Sequence, residues 1–301
     1  MRLFGKSSIS KKLLFIHVPK TAGATFRSIL DKNYPRHLSF FIHDLYPELS
    51  LDYLHRTSVT EFNRYRIIAG HGAQYVLTKA KDFHSIIFLR DPLNQIISGY
   101  YHIKRSPHSP LYNDLKKIGS LSEYYQYLKE NNGFNHQTLY LSRNEEEFRQ
   151  KKRFCEINEI SYNKAVDLLN KIDYVFLTEH FDESLFILGK EFNLDSRYYL
   201  SRNRTKKRLP EERNPELLQK IKHAQIWDYK LYEIARQKYL DLKSKFSDDI
   251  DAEVKRFTFK NYIYNETVGR YEHFKWYIFN ALKLSEKRKK DWEIKPEYDS
   301  K

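Results

Sequence analysis

The stretch FIHVPKTAGATF, residues 15–26, contains the end of an apolar run and the start of a turn with lysine, threonine and glycine. The apolar run covers residues 13–18, and residues 24–34 (ATFRSILDKNY) have the apolar spacing of a helix. Where a strand enters a helix through such a turn, backbone N–H groups and the positive end of the helix dipole attract an anion. The stretch therefore predicts a strand, an anion-binding turn and a helix.

Four short runs have the composition of strands that are buried on both faces: LLFIHV (13–18), YRIIAG (65–70), SIIFLR (85–90) and YVFLTE (174–179). Helix-like segments follow the first, third and fourth runs, and Asp182 is predicted to cap the last of these helices. This alternation predicts an α/β fold with a P-loop-like central parallel sheet flanked by helices. Beyond residue 215 the pattern is helical. We expect one domain over residues 1–285, with a helical lobe at 106–170 and a charged tail at 286–301.

The composition limits the partners and the location. The 301 residues are 41% hydrophobic, which is enough for a sizeable core. A formal net charge of +14 favours a polyanionic partner such as nucleic acid, an acidic membrane surface, an acidic glycan or a phosphate-rich nucleotide. A single cysteine excludes a disulfide framework and a cysteine-rich zinc site. No apolar run approaches membrane-span length, so the sequence predicts a cytoplasmic protein without a membrane span.

Residues 20–25 carry the chemistry of the predicted anion site. Their backbone N–H groups, the Lys20 ammonium and two threonine hydroxyls are suited to a phosphate, and Gly23 allows close approach. The Walker A pattern is absent because the lysine precedes the glycine. Taken alone, this stretch is better explained as an ordinary strand-to-helix turn than as a phosphate site.

A second segment, FLRDPLNQIISGYYH (88–102), strengthens the phosphate interpretation. A predicted strand ends at Arg90, Asp91 can cap the following helix, and Pro92 suits its first position. Ser98 lies about two helical turns further on. A guanidinium and a hydroxyl so placed suit a phosphate dianion. Each residue alone has a common structural explanation, whereas the two segments together favour a phosphate-bearing nucleotide.

The two segments resemble the cofactor motifs of sulfotransferases that use 3′-phosphoadenosine 5′-phosphosulfate (PAPS) and release adenosine 3′,5′-bisphosphate (PAP). Three further stretches, IIAGHGAQY, YVFLTEHFDESLFILGKEF and RNRTKKRLP, are similar to the heparan-sulfate and uronyl 2-O-sulfotransferase branch. In that branch a second histidine can precede the glycine–histidine pair, whereas this sequence has Ala69 at that position. The sequence also predicts neither the membrane anchor nor the structural cysteines of the animal enzymes.

The resemblance implies sulfuryl transfer to a hydroxyl of a carbohydrate, either a glycan, a polysaccharide or a lipid-linked sugar, with the lobe at 106–170 on the acceptor side. It assigns the general base to His71 and stabilisation of the leaving oxygen to Lys20. The implied donor contacts are Lys20, Thr21, Ala22, Gly23, Ala24, Thr25, Arg90, Ser98, Arg202, Thr205 and Lys207. Apart from the resemblance, His136 in NGFNHQTLY is a candidate acceptor contact, and the basic residues Arg204 and Arg208 fit either a solvated surface or contacts to an acidic glycan. No metal is implied, since the donor carries little charge between phosphorus and sulfur.

Two other functions stay open at this stage. A P-loop-type small-molecule kinase would need Mg²⁺ and a Walker-type acid, which the sequence does not supply clearly. A basic nucleic-acid-binding protein would explain the charge but not the residues at strand ends, and no helix-turn-helix or zinc motif is present. The sequence therefore favours the sulfotransferase and no nucleic-acid partner, and it leaves the oligomeric state undetermined.

Overall fold

The computed structural model describes residues 11–43, 46–106, 111–151, 154–194, 197–200, 214–246 and 250–271. Within them, five parallel strands form one sheet in the order β2-β3-β1-β4-β5. The strands are β1 (Lys12–Ile16), β2 (Ser39–Phe41), β3 (Ile67–Gly70), β4 (Phe83–Leu89) and β5 (Tyr174–Leu177). Because β3 and β4 lie on either side of β1, the carboxyl ends of these three strands are adjacent.

Helices flank the sheet and make up the C-terminal part, as the sequence predicts. Those between β1 and β4 are α1 (Gly23–Asn33), α2 (Pro47–Arg56) and α3 (Val59–Phe62). Those between β4 and β5 are α4 (Pro92–Arg105), α5 (Tyr112–Leu115), α6 (Leu121–Glu130), α7 (His136–Ser142), α8 (Glu145–Arg149) and α9 (Glu159–Asn170). After β5 come α10 (Phe181–Phe192), α11 (Pro215–Ala224), α12 (Ile226–Lys243) and α13 (Ile250–Tyr264).

Burial explains which strands the sequence predicts. All four predicted strands are present, and their residues are almost all buried in the main core. The remaining strand, β2, has three residues at the sheet edge, all only partly buried. Its short, half-exposed sequence lacks the apolar run that marks the others. The predicted α/β fold with a parallel sheet is confirmed.

The starts of two helices show where local prediction succeeds and where it fails. Asp91 caps α4 by accepting a hydrogen bond from the Asn94 N–H at 2.8 Å, with Pro92 in the first turn. The predicted cap at Asp182 is wrong, because α10 already begins at Phe181. The Asp182 carboxylate instead accepts hydrogen bonds from the Tyr199 and Thr258 hydroxyls at 2.7 and 2.8 Å. Contacts with distant segments thus replace the local cap.

A second, smaller hydrophobic cluster joins α4, α6 and α11 away from the sheet core. It is centred on Ile96, Tyr100, Leu121 and Ile221, all buried. This cluster fixes α4, and therefore the segment that follows β4, against the later helices. In the described part of the chain, no helix combines the length and apolar character that crossing a bilayer requires.

Candidate active site

Three neighbouring strand ends place the main sequence-predicted residues at one edge of the sheet. Residues 17–22 connect β1 to α1, His71 follows β3, and Arg90 follows β4. Since the sheet order is β3-β1-β4, the loop at 17–22 lies between the other two strand ends. Ligands of open α/β sheets bind at such carboxyl ends.

The loop after β1 adopts an unusual backbone conformation for its sequence. Lys20 and Ala22 have φ values of 68° and 65°, in the left-handed region that normally favours glycine. The Thr21 side chain between them is fully buried, and its hydroxyl donates to the Val18 carbonyl at 2.9 Å. The Thr21 hydroxyl thus stabilises the loop from inside. Alternation of left- and right-handed residues is typical of backbone concavities that bind anions.

The two segments that the sequence analysis links to a nucleotide are in direct contact. The Arg90 guanidinium donates to the Lys20 carbonyl at 3.2 Å. On the first turn of α4, the Gln95 side chain donates to the Pro19 carbonyl at 3.0 Å. The anion loop and the start of α4 therefore form one continuous surface.

Positive charges converge on Lys20. Burial, followed by the guanidinium groups of Arg90 and Arg105, lowers the pKa of the Lys20 ammonium to about 8. Burial, followed by Lys20 and Arg105, also lowers the pKa of His102. Ser98, His102 and Arg105 are spaced four and three residues apart on α4, so they share one face of that helix. No acidic group contributes to either shift, so the site is suited to an anion.

His71 is held in one tautomer by the loop after β1. Its Nδ1 lies 2.7 Å from the His17 carbonyl, which can only accept, so Nδ1 carries the proton and neutral His71 has a basic Nε2. The two imidazole rings stack with centroids 4.2 Å apart and planes 17° apart. Burial, followed by the charges of His71, Arg27 and Lys20, lowers the pKa of His17 well below its usual value. His17 therefore stays neutral beneath His71.

Gly23 makes this stacking possible. A Cβ atom at this position would lie only 1.8 Å from Cδ2 and 2.0 Å from Nε2 of His17. The sequence predicts that Gly23 leaves space for a ligand, whereas in the structure the His17 ring occupies that space. The glycine is thus required by a side chain six residues earlier.

A buried network holds the main chain of Arg90 from the other side. The Gln137 side chain accepts from the Arg90 N–H at 3.0 Å and donates to the Arg90 carbonyl at 2.8 Å. The Asp228 carboxylate accepts from the N–H groups of Gln137 and Thr138 at 3.0 and 2.7 Å, and from the Thr138 hydroxyl at 2.7 Å. Burial raises the pKa of Asp228 to about 6, and these hydrogen bonds oppose the rise.

The other predicted contacts are distributed as follows. Ala24 is exposed and Thr25 partly buried in the first turn of α1, and Ser98 is partly buried in α4. His136 is the first residue of α7 and is partly buried. The remaining predicted residues, Arg202, Thr205 and Lys207 for the donor and Arg204 and Arg208 for the acceptor, lie outside the described residues, as does the tail at 286–301.

Sequence reasoning did not find the supporting residues. The sequence patterns assign no role to His17, Gln137 or Asp228. Gln137 lies 47 residues from Arg90, and Asp228 lies 90 residues beyond Thr138. No local pattern indicates either contact.

The family of the chain follows from one comparison. Within the described residues, no group of three or more histidine, cysteine or acidic side chains could hold a metal ion. Comparison with curated proteins returns no significant match. A family model described as the sulfotransferase family matches residues 8–240, which include β1 to β5, the loop at 17–22, His71 and Arg90. The chain therefore belongs to the sulfotransferase family, as its motifs predict.

Proposed function

We propose that this sulfotransferase moves a sulfuryl group from PAPS to a hydroxyl of a carbohydrate acceptor. The observation that carries the proposal is the set of cations around the loop after β1. The charges of Arg90 and Arg105 reinforce burial in lowering the pKa of Lys20 to about 8, and the neighbouring strand β3 is followed by a histidine whose tautomer is fixed. A site that concentrates positive charge at a cost to the unliganded protein is suited to a polyanion such as a nucleotide bisphosphate.

The donor would be held at both of its charged ends. The first N–H groups of α1, at Gly23 and Ala24, lack intrahelical acceptors and are suited to the 5′-phosphate, together with Lys20. Arg90 and Ser98 are suited to the 3′-phosphate. The contact between Arg90 and the Lys20 carbonyl supports a single ligand that spans both segments.

His71 and Lys20 would perform the proton and charge steps. The acceptor hydroxyl loses its proton to Nε2 of His71 as its oxygen bonds to sulfur, and the bond from sulfur to the bridging phosphate oxygen breaks. The Lys20 ammonium stabilises the charge that develops on that oxygen. A positioned base typically contributes about 10²–10⁴-fold. The tautomer fixed by the His17 carbonyl presents the basic nitrogen that this step needs.

The proposed acceptor is a carbohydrate hydroxyl. A neutral or acidic glycan, a polysaccharide or a lipid-linked sugar each fit a basic protein with a net charge of +14. His136, and the basic residues Arg204 and Arg208, are proposed contacts. The family resemblance favours the 2-O-sulfotransferase branch, and the single cysteine is compatible with a reducing cytoplasm. Transfer of labelled sulfate to a panel of sugars would identify the acceptor class.

Calorimetric titration with PAP tests the proposal directly. We expect binding in the presence of EDTA, and we expect Arg90→Ala to weaken it by at least about tenfold, because a bidentate charged contact is lost. Arg64→Ala is a matched control, since Arg64 is exposed and precedes β3, at the opposite edge of the sheet. Absence of PAP binding with tight, salt-sensitive binding of duplex DNA would overturn the proposal. Binding of ATP only with Mg²⁺ would favour the kinase.

A further inference from the structure

The Gln137 side chain takes the place of a strand neighbour at the end of β4. Its amide forms two hydrogen bonds with Arg90: Oε1 accepts from the Arg90 N–H at 3.0 Å, and Nε2 donates to the Arg90 carbonyl at 2.8 Å. The side chain is 1% exposed. β4 ends at Leu89, so these bonds fix the residue that directly follows the strand. We call this pair of bonds the Gln137 clamp.

Two helices cap each other's first turns and hold the clamp in place. Asp228, near the start of α12, accepts hydrogen bonds from the N–H groups of Gln137 and Thr138 at the start of α7. In return, Asn135 Oδ1 accepts from the N–H groups of Trp227 and Asp228 at 3.0 and 3.1 Å. Because both caps are buried, neither helix can shift without leaving polar groups unpaired. We call this arrangement the α7–α12 junction.

The clamp acts on the part of Arg90 that sets the direction of its side chain. With N–H and carbonyl both held, the guanidinium reaches the Lys20 carbonyl at 3.2 Å on the neighbouring loop. A side chain that grips a phosphate needs this kind of preorganised support, because a displacement of about 1 Å at a positioned group has large effects.

We infer that Gln137 is a positioning residue for nucleotide binding, which aims Arg90 at the 3′-phosphate of the donor and connects this contact to the α7–α12 junction. This inference rests on the proposed function, because it requires Arg90 to bind that phosphate. Gln137 itself has no contact with the ligand in this assignment. Loss of the Gln137 side chain would therefore weaken the binding of nucleotides that carry a 3′-phosphate and leave the binding of nucleotides without one unchanged.

The test measures the affinities for PAP and AMP in each variant, and it combines the Gln137 and Arg90 substitutions in a double-mutant cycle. We expect Gln137→Ala, and Gln137→Glu, which keeps the acceptor oxygen but loses the donor to the Arg90 carbonyl, to weaken PAP binding by about tenfold and AMP binding by less than about twofold. In an Arg90→Ala background the same substitutions have no further effect on PAP, because the group they position is gone. Gln225→Ala is the matched control. Gln225 is equally buried in the same junction but bonds to Asn135 and Pro92.

The possible outcomes distinguish a failure of the inference about Gln137 from a failure of the proposed function. If Gln137→Ala and Gln137→Glu lower the melting temperature as Gln225→Ala does and leave the PAP-to-AMP affinity ratio unchanged, Gln137 is only structural and the inference is overturned. The same conclusion follows if the effects of Gln137→Ala and Arg90→Ala on PAP affinity are additive. If Arg90→Ala itself leaves PAP binding unchanged, the proposed function fails instead.

Discussion

Lys20 combines two unfavourable features that a ligand would relieve. Its backbone is left-handed at φ 68°, which costs a non-glycine residue about 1–3 kcal/mol, and its ammonium is partly buried near other cations. Such costs persist only where the surrounding structure holds the residue in place. Here the loop is held by hydrogen bonds to its carbonyl groups, which come from the Thr21 hydroxyl and from the Arg90 and Gln95 side chains. An anion on the loop would stabilise the charged form of Lys20.

The first prediction concerns the proton on Lys20. With a pKa of about 8, the ammonium is about half deprotonated at pH 8 in the free protein. A bound bisphosphate favours the charged form, so we expect uptake of up to about half a proton per PAP at pH 8. Calorimetry in buffers of different ionisation enthalpy measures this uptake. Lys20→Met should abolish it, and equal uptake in that variant would assign the proton to another group.

The second prediction concerns the space above Gly23. Gly23→Ala would drive a Cβ into the His17 ring, and the ring that stacks on it, His71, would move as well. We expect the free energy of unfolding to fall by about 1–3 kcal/mol, and turnover to fall by at least about tenfold because the proposed base is displaced. Chemical denaturation and a sulfate-transfer assay measure the two effects.

Gly119→Ala is the control for this prediction, since the nearest atoms to its Cβ would be the Glu123 carboxylate oxygens at 3.9 Å. It should behave as wild type in both assays. Normal turnover in Gly23→Ala would show that the stacked imidazoles do not position the base.

At the scale of single residues, the sequence identifies chemistry better than conformation. The placement of Lys20, His71 and Arg90 after the ends of strands is predictable, because each follows an apolar run, and their residue types favour an anion and a base. The left-handed backbone at Lys20 and Ala22 is not predictable, because neither residue prefers it. The stacking of His17 on His71 depends on two strands that are 54 residues apart in the sequence, so no local pattern reveals it.

At the scale of elements, apolar content decides what can be predicted. The buried strands and α4 follow from continuous apolar runs, a capping aspartate and Pro92, all of which are local. The α7–α12 junction is different, because each cap comes from the partner helix, about 90 residues away. A buried aspartate in an otherwise ordinary helical sequence gives no sign of the segment that it caps.

The third prediction uses the titration of Asp228. Its pKa in the folded protein, about 6, lies above the usual value, so the ionised carboxylate destabilises the fold. This destabilisation is complete well above pH 6 and decreases as the carboxylate is protonated below pH 6. The free energy of unfolding of the wild type, relative to Asp228→Asn, should therefore rise by about 1 kcal/mol between pH 7 and pH 5. Urea denaturation at pH 7, 6 and 5 measures the difference. Asp241→Asn, an exposed aspartate of α12, should parallel the wild type. A relative decrease towards pH 5 would contradict the prediction.

At the scale of the whole molecule, the order of the strands assembles the site. The sequence predicts β1, β3, β4 and β5, but not that β1 lies between β3 and β4. That order makes neighbours of His71, the loop at 17–22 and Arg90, although the chain separates Lys20 from Arg90 by 70 residues. Strand order depends on how helices cover both faces of the sheet, which single-segment patterns do not encode. The overall charge of the protein indicates the sign of the ligand's charge but not where the ligand binds.

The fourth prediction follows from this assembly, because one ligand must protect two distant segments at once. Hydrogen exchange measured by mass spectrometry should slow on PAP binding in peptides that cover residues 17–25 and in peptides that cover residues 90–100. AMP should slow exchange in the first segment only, since it lacks the phosphate that Arg90 is proposed to hold. Peptides of β2 at the sheet edge serve as the internal control and should not change. Protection by PAP that is confined to one of the two segments would show that no single nucleotide spans the ends of β1 and β4, and the proposed donor site would then be wrong.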